Sequence, residues 1–166
     1  LRTAQREFGL QVTFFRARTA HADDNPSRFA PRQLLLAHAA LALPGEQRLK
    51  HAQRAARTGF GLASTSEDDC DLRLSDWTLA RSPDDSYRAR IVSDDFAIDL
   101  ELRPPGAPVL QGDGGYSRKG PAPEQASHYY SRPQLAMRAT VRVATRRLEA
   151  SGVGWLDHEW SSRLLD

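Results

Sequence analysis

Glu7-Phe8-Gly9-Leu10-Gln11-Val12-Thr13-Phe14 alternates between faces residue by residue. Phe8, Leu10, Val12 and Phe14 fall on one side, and Glu7, Gln11 and Thr13 take the other. A repeat of two is what a half-buried β-strand requires, because successive Cβ atoms point to opposite faces of the sheet. The same alternation runs through 72–79, through Tyr87 to Val92, through Phe96, Ile98, Leu100 and Leu102, and through Leu135, Met137, Ala139, Val141 and Val143. These runs are separated by Ser82-Pro83-Asp84-Asp85, Ser93-Asp94-Asp95, Pro104-Pro105-Gly106 and the long stretch from Gly112 to Gln125, all rich in residues that accept turn dihedrals. The pattern predicts an antiparallel meander closed into a sandwich or barrel rather than alternating β and α units.

Two segments resist. Gln33 to Leu43 is apolar with good helix formers, and Glu46 to Arg57 carries Ala, Gln, Lys and Arg at helical density, with Pro44-Gly45 between them. Propensity alone makes both helical, and we expect one short helix or helical turn, in the second. Residues 23–31 and 64–71 read as surface loops, and no internal repeat aligns. Gly154 to Trp160 reads as a final strand. The chain starts at Leu1 with what already reads as the middle of a sheet and stops soon after its last strand. We therefore expect a piece cut at both ends, its start missing.

Composition narrows the function classes. With 166 residues, of which 40% are hydrophobic, the chain can bury one ordinary core. No apolar run nears the roughly 18 residues that cross a bilayer as a helix. The 23 basic and 21 acidic residues are interleaved, so no phosphate-tracking block suggests nucleic acid as a partner. Cys70 is the lone cysteine, which excludes an intrachain disulfide and any zinc site built on paired thiolates.

The densest cluster of functional groups is Gly154-Trp155-Leu156-Asp157-His158-Glu159-Trp160-Ser161-Ser162. On a strand, Trp155, Asp157 and Glu159 share one face, and Leu156, His158 and Trp160 the other. An imidazole beside an indole wall is a candidate for proton exchange, because partial drying moves its pKa. The plainer reading makes the carboxylates a solvated face and His158 a hydrogen-bonded core group. A zinc-protease motif fails because Ser162 stands where a second His is needed. His21, His38, His51 and His128 have no mutual ligand spacing that helps, so nothing in the spacing supports a metal site. Gln111 to Gly120 fails as a phosphate loop, since Arg118 precedes Lys119 where Gly is required. It also fails as a nucleophile elbow, since Lys119 follows Ser117 by two where Gly is required. What remains is a glycine-permitted turn presenting Tyr116, Ser117 and Lys119 at a rim. Tyr129-Tyr130 points one ring inward and one outward. His38 lies alone in an apolar run, and Asp76-Trp77 pairs a core indole with a carboxylate suited to a backbone amide.

Taken together and in order, Phe8 to Arg16, Ala37-His38-Ala39-Ala40-Leu41, Asp76-Trp77, Leu110 to Gly120, Tyr129-Tyr130-Ser131 and Trp155 to Ser162 resemble the lipocalin-like AttH and carotenoid 1,2-hydratase (hydroxyneurosporene synthase) superfamily. The resemblance implies an all-β, antiparallel lipocalin-like barrel or sandwich over 1–166, the first of two such domains, and makes Gln33 to Leu43 a strand despite its helix propensity. It also implies a bacterial protein, periplasmic or secreted. In its hydratase members, water adds to a carbon–carbon double bond without a cofactor; other members are described as predicted secreted hydrolases.

On this basis His158 is the expected proton-transfer residue, with Asp157 or Glu159 orienting it. Trp160, Trp155, Tyr116, Ser117, Lys119, Tyr130 and His38 are the expected contacts to a hydrophobic small molecule. The alternatives are a non-catalytic lipid or isoprenoid binder and a domain whose partner is its own second half.

Overall fold

A computed structural model describes residues 1–3, 7–19 and 25–161. Part of the loop expected at 23–31, together with His21 and Ser162, lies outside them. Among the described residues every regular element is a strand. In chain order these are β1 (Gly9–Arg18), β2 (Gln33–Ala42), β3 (Lys50–Arg57), β4 (Ala63–Thr65), β5 (Asp71–Leu74), β6 (Trp77–Arg81), β7 (Tyr87–Val92), β8 (Ala97–Arg103), β9 (Val109–Leu110), β10 (Tyr116–Arg118), β11 (Ala126–Val143) and β12 (Arg146–Trp160). β1, β2 and β3 form one antiparallel sheet; the other nine form a second, a curled half-barrel consistent with the lipocalin-like expectation.

Alternation builds the core as the sequence predicts. Leu35, Ala37, Ala39 and Leu41 of β2 are buried against the inward residues of the large sheet: Tyr87, Ala89 and Ile91 on β7, Ile98, Leu100 and Leu102 on β8, and Leu135 to Val143 in steps of two on β11. Leu10, Val12 and Phe14 of β1 pack on the same cluster. Trp77 is wholly buried and donates its Nε1–H to the Val92 carbonyl at 2.7 Å. Its neighbour Asp76 pairs with Arg54 rather than with a backbone amide.

The structure corrects two elements. Glu46 to Arg57 holds no helix, and Lys50–Arg57 is β3, laddered to β2 from Leu41↔Lys50 to Leu34↔Arg57. Ala52 and Ala56 pack on the core from alternate positions. Tertiary pairing overrides alanine's helix propensity, which amounts to only tenths of a kcal/mol per residue. The run from 72 to 79 is not one strand: Ser75, at φ 57, turns the chain so that Leu74 pairs directly with Trp77.

An irregularity in β11 positions the site. Its register with β12 slips between Arg132 and Leu135, and Gln134 adopts φ 58. A β-bulge of this kind exchanges the faces of all residues beyond it. Odd-numbered residues face the core from Leu135 to Val143, whereas below the bulge Arg132, Tyr130 and His128 do so, opposite Leu156, His158 and Trp160.

Candidate functional site

The lower ends of β10, β11 and β12 carry different chemistry on their two faces. On the core side, register places Tyr116 beside His128, His128 beside Trp160, and Tyr130 beside His158. The rings form a continuous stack: His128 on Trp160 at 5.3 Å, Trp160 on His158 at 4.9 Å, and Tyr130 edge-on to His158 at 5.2 Å between centroids. The Tyr130 hydroxyl lies 3.0 Å from Nδ1 of His158. Leu156, one step along the same face, joins the cluster to the core.

Desolvation by these rings, and then the positive charge of Arg16, hold the His158 pKa below its ordinary 6.5. Arg16 reaches the site from the small sheet, where it pairs with the buried Leu35. The cluster is open rather than enclosed: His158 and His128 are exposed, and Trp160 retains 47% of its accessible surface. A neutral imidazole bonded to a phenol, among rings that lie partly in solvent, can exchange a proton with a molecule laid across them.

Asp157 and Glu159 occupy the opposite face and do not touch the imidazole. Asp157 accepts hydrogen bonds from Ser131 Oγ at 2.6 Å, Trp155 Nε1 at 2.7 Å and the Tyr129 hydroxyl at 3.0 Å. Partial burial works against its charge, yet these three donors together hold its pKa below the ordinary carboxylate value. Glu159 pairs with Lys119 Nζ at 2.6 Å and accepts from Ser127 Oγ at 2.5 Å, and both lower its pKa. The Lys119 ammonium also lies 5.0 Å above the Tyr129 ring. Ser117 pairs with Ser127 on this face. Trp155, Ser117 and Lys119 thus belong to an outer polar network, apart from Tyr116, Tyr130 and Trp160 on the core side. His38 joins neither; it is exposed on β2, edge-on to Phe15.

Sequence reasoning missed Arg132 and Tyr87, just below the bulge. Arg132 is buried, bonded to Asp85 at 2.7 Å and stacked 5.6 Å from the Tyr87 ring. The Tyr87 hydroxyl and Arg132 Nε are buried without hydrogen-bond partners among the described residues. Burial and the nearby Tyr130 phenol raise the pKa of Tyr87. An apolar–polar alternation shows Tyr87 facing inward but cannot show what its hydroxyl meets. Among the described residues no group of three or more His, Cys, Asp or Glu side chains is arranged to hold a metal ion, and no helix is long and apolar enough to cross a membrane.

Comparison with known proteins agrees with this architecture. A crystal structure of a candidate AttH protein from Nitrosomonas europaea is 42% identical, superposes with a TM-score of 0.85, and is matched over 96% of this chain and 47% of its own. The chain thus spans about half the length of that protein. No curated protein matches it. The AttH-like family model matches residues 1–166. On that full-length match and on the shared curled sheet, the chain belongs to the AttH-like family.

Proposed function

We propose that the ring cluster around His158 takes the apolar body of a lipid or isoprenoid-like molecule, and that His158 with Tyr130 moves a proton in a hydrolase or hydratase reaction. The observation that carries this reading is the 3.0 Å contact between Nδ1 of His158 and the Tyr130 hydroxyl within aromatic walls. The depressed pKa keeps the imidazole neutral near pH 7, which is the form of a general base. In hydrolysis Nε2 takes a proton from the attacking water and returns it to the leaving group, while Nδ1–H donates to the Tyr130 oxygen and fixes the ring; in hydration the protonated ring first gives its proton to one alkene carbon and regains one from the water that adds to the other. The faces of Trp160 and Tyr130 stabilise an electron-poor carbon through their quadrupoles. Asp157 and Glu159 hold β12 to β11 from behind and so position the imidazole without touching it. The chemistry asks no cofactor of the chain. The family resemblance supports an extracytoplasmic setting and a second lipocalin-like domain beside this one.

A binder without turnover is the second reading, and the open cluster favours it, since exposed rings hold a ligand without drying it. Incubating the full-length protein and its His158→Ala variant with lipid and isoprenoid extracts separates the two. Product from the wild type alone, detected by mass spectrometry, supports catalysis. Equal ligand retention by both with no product supports binding only. Loss of fold in His158→Ala, with melting far below wild type, would make the histidine structural and remove the proposal.

A further inference from the structure

The turn between β3 and β4, Thr58-Gly59-Phe60-Gly61-Leu62, carries an aromatic ring in a backbone conformation that disfavours one. Phe60 sits at φ 56, between Gly59 at φ 88 and Gly61 at φ 74. Residues with a β-carbon are crowded in this left-handed region, and bulky ones are rare there. Core packing does not compensate, because Phe60 is 51% exposed, with Leu62 and Phe29 exposed beside it. Phe29 stacks on Phe60 at 5.5 Å with the ring planes 14° apart. The fold thus holds an apolar platform out in solvent at one loop tip.

The platform is ringed by cations. The Arg57 guanidinium lies 4.6 Å from the Phe60 centroid and that of Arg28 5.7 Å. Arg57 is braced by the carbonyls of Arg28, Phe29 and Ala30. Arg32 and Arg73 line a concavity of about 530 Å³ together with Gly59 and Gly61, with Glu67 as its one carboxylate. None of these four arginines is paired with a carboxylate among the described residues. Among the described residues the tip thus carries more positive than negative charge, with Arg57 turned inward to the loop carbonyls.

We propose that this tip docks on an anionic phospholipid surface, with Phe60, Phe29 and Leu62 entering the headgroup–acyl boundary, Arg28, Arg32 and Arg73 meeting the phosphates, and Arg57 bracing the loop beneath Phe60. Apolar rings bordered by basic side chains are the pattern of a peripheral membrane contact. A second copy placed tip to tip would set these cations against one another. The proposal is independent of the reaction at His158, because the two regions share none of these residues.

Co-sedimentation with vesicles of phosphatidylcholine, with and without phosphatidylglycerol, tests it on the full-length protein. The wild type should sediment with the anionic vesicles, less so as salt rises. Partitioning should fall about tenfold in Phe60→Gly and about fivefold in Arg28→Gln. Glycine suits the backbone at position 60, so the first variant should melt no lower than wild type, which separates lost docking from lost fold. Absence of sedimentation, equal binding to neutral and anionic vesicles, or full binding by a folded Phe60→Gly would overturn the proposal. So would binding of a single-stranded oligonucleotide at the tip in place of vesicles.

Discussion

Tyr130 and His158 face each other across the β11–β12 ladder, with the hydroxyl 3.0 Å from Nδ1, and they do so because the bulge at Gln134 returns Tyr130 to the core-side face. Without that slip Tyr130 would point outward and Tyr129 inward. The polar pair at the centre of the ring cluster is thus a product of strand register.

The imidazole should titrate below 6.5 in an NMR pH series. Arg16→Gln should raise its pKa only partway, because desolvation by the surrounding rings, the larger cause, remains. If His158 is a general base, kcat/KM rises with pH through this depressed value and is flat above it. A rising limb centred at 7 or higher would count against the assignment.

Stability should decline on acidification in a way that traces to the outer network. The folded-state pKa values of Asp157 and Glu159 lie below their ordinary values, so the unfolded chain binds more protons. Their contribution is present above the ordinary carboxylate range and is lost as pH falls through the depressed values. The depressed pKa of His158 acts in the same direction between its folded value and 6.5. Urea midpoints of Asp157→Asn and Glu159→Gln should show a shallower acid decline than the wild type.

Removing the Arg132 side chain should cost about 2 kcal/mol in urea unfolding, since Asp85 loses a partner 2.7 Å away while keeping Arg81. Tyr87→Phe should be neutral or stabilising by a few tenths of a kcal/mol, because it deletes a buried hydroxyl that makes no hydrogen bond. A loss above about 1 kcal/mol in the second variant would mean that the hydroxyl is bonded in solution.

Trp77→Phe should destabilise by roughly 1–3 kcal/mol, combining a partial cavity with loss of the bond to the Val92 carbonyl. Gly112→Ala should cost a similar amount, about 1–3 kcal/mol, because φ is 66 and the added methyl would press on the Tyr116 carbonyl. Thermal melts of both variants check these values, and near wild-type melting of Gly112→Ala would show that the loop can move aside.

Alternation in Phe8 to Phe14, Tyr87 to Val92 and Leu135 to Val143 was enough to make the protein all-β and antiparallel, because burying one face of a sheet imposes a period of two whatever the neighbours are. It also sorted Trp155, Asp157 and Glu159 from Leu156, His158 and Trp160, since that division is a property of a single strand. Glu46 to Arg57 misled, because helix propensity is weaker than the ladder that β2 offers. Which face of β12 met Tyr130, that Arg16 stood near enough to depress His158, and that Arg132 lay buried beside Tyr87 were decided only in three dimensions. Each depends on register between segments far apart in the chain, and a one-residue slip at a bulge reverses every face without altering the alternation within either flanking run.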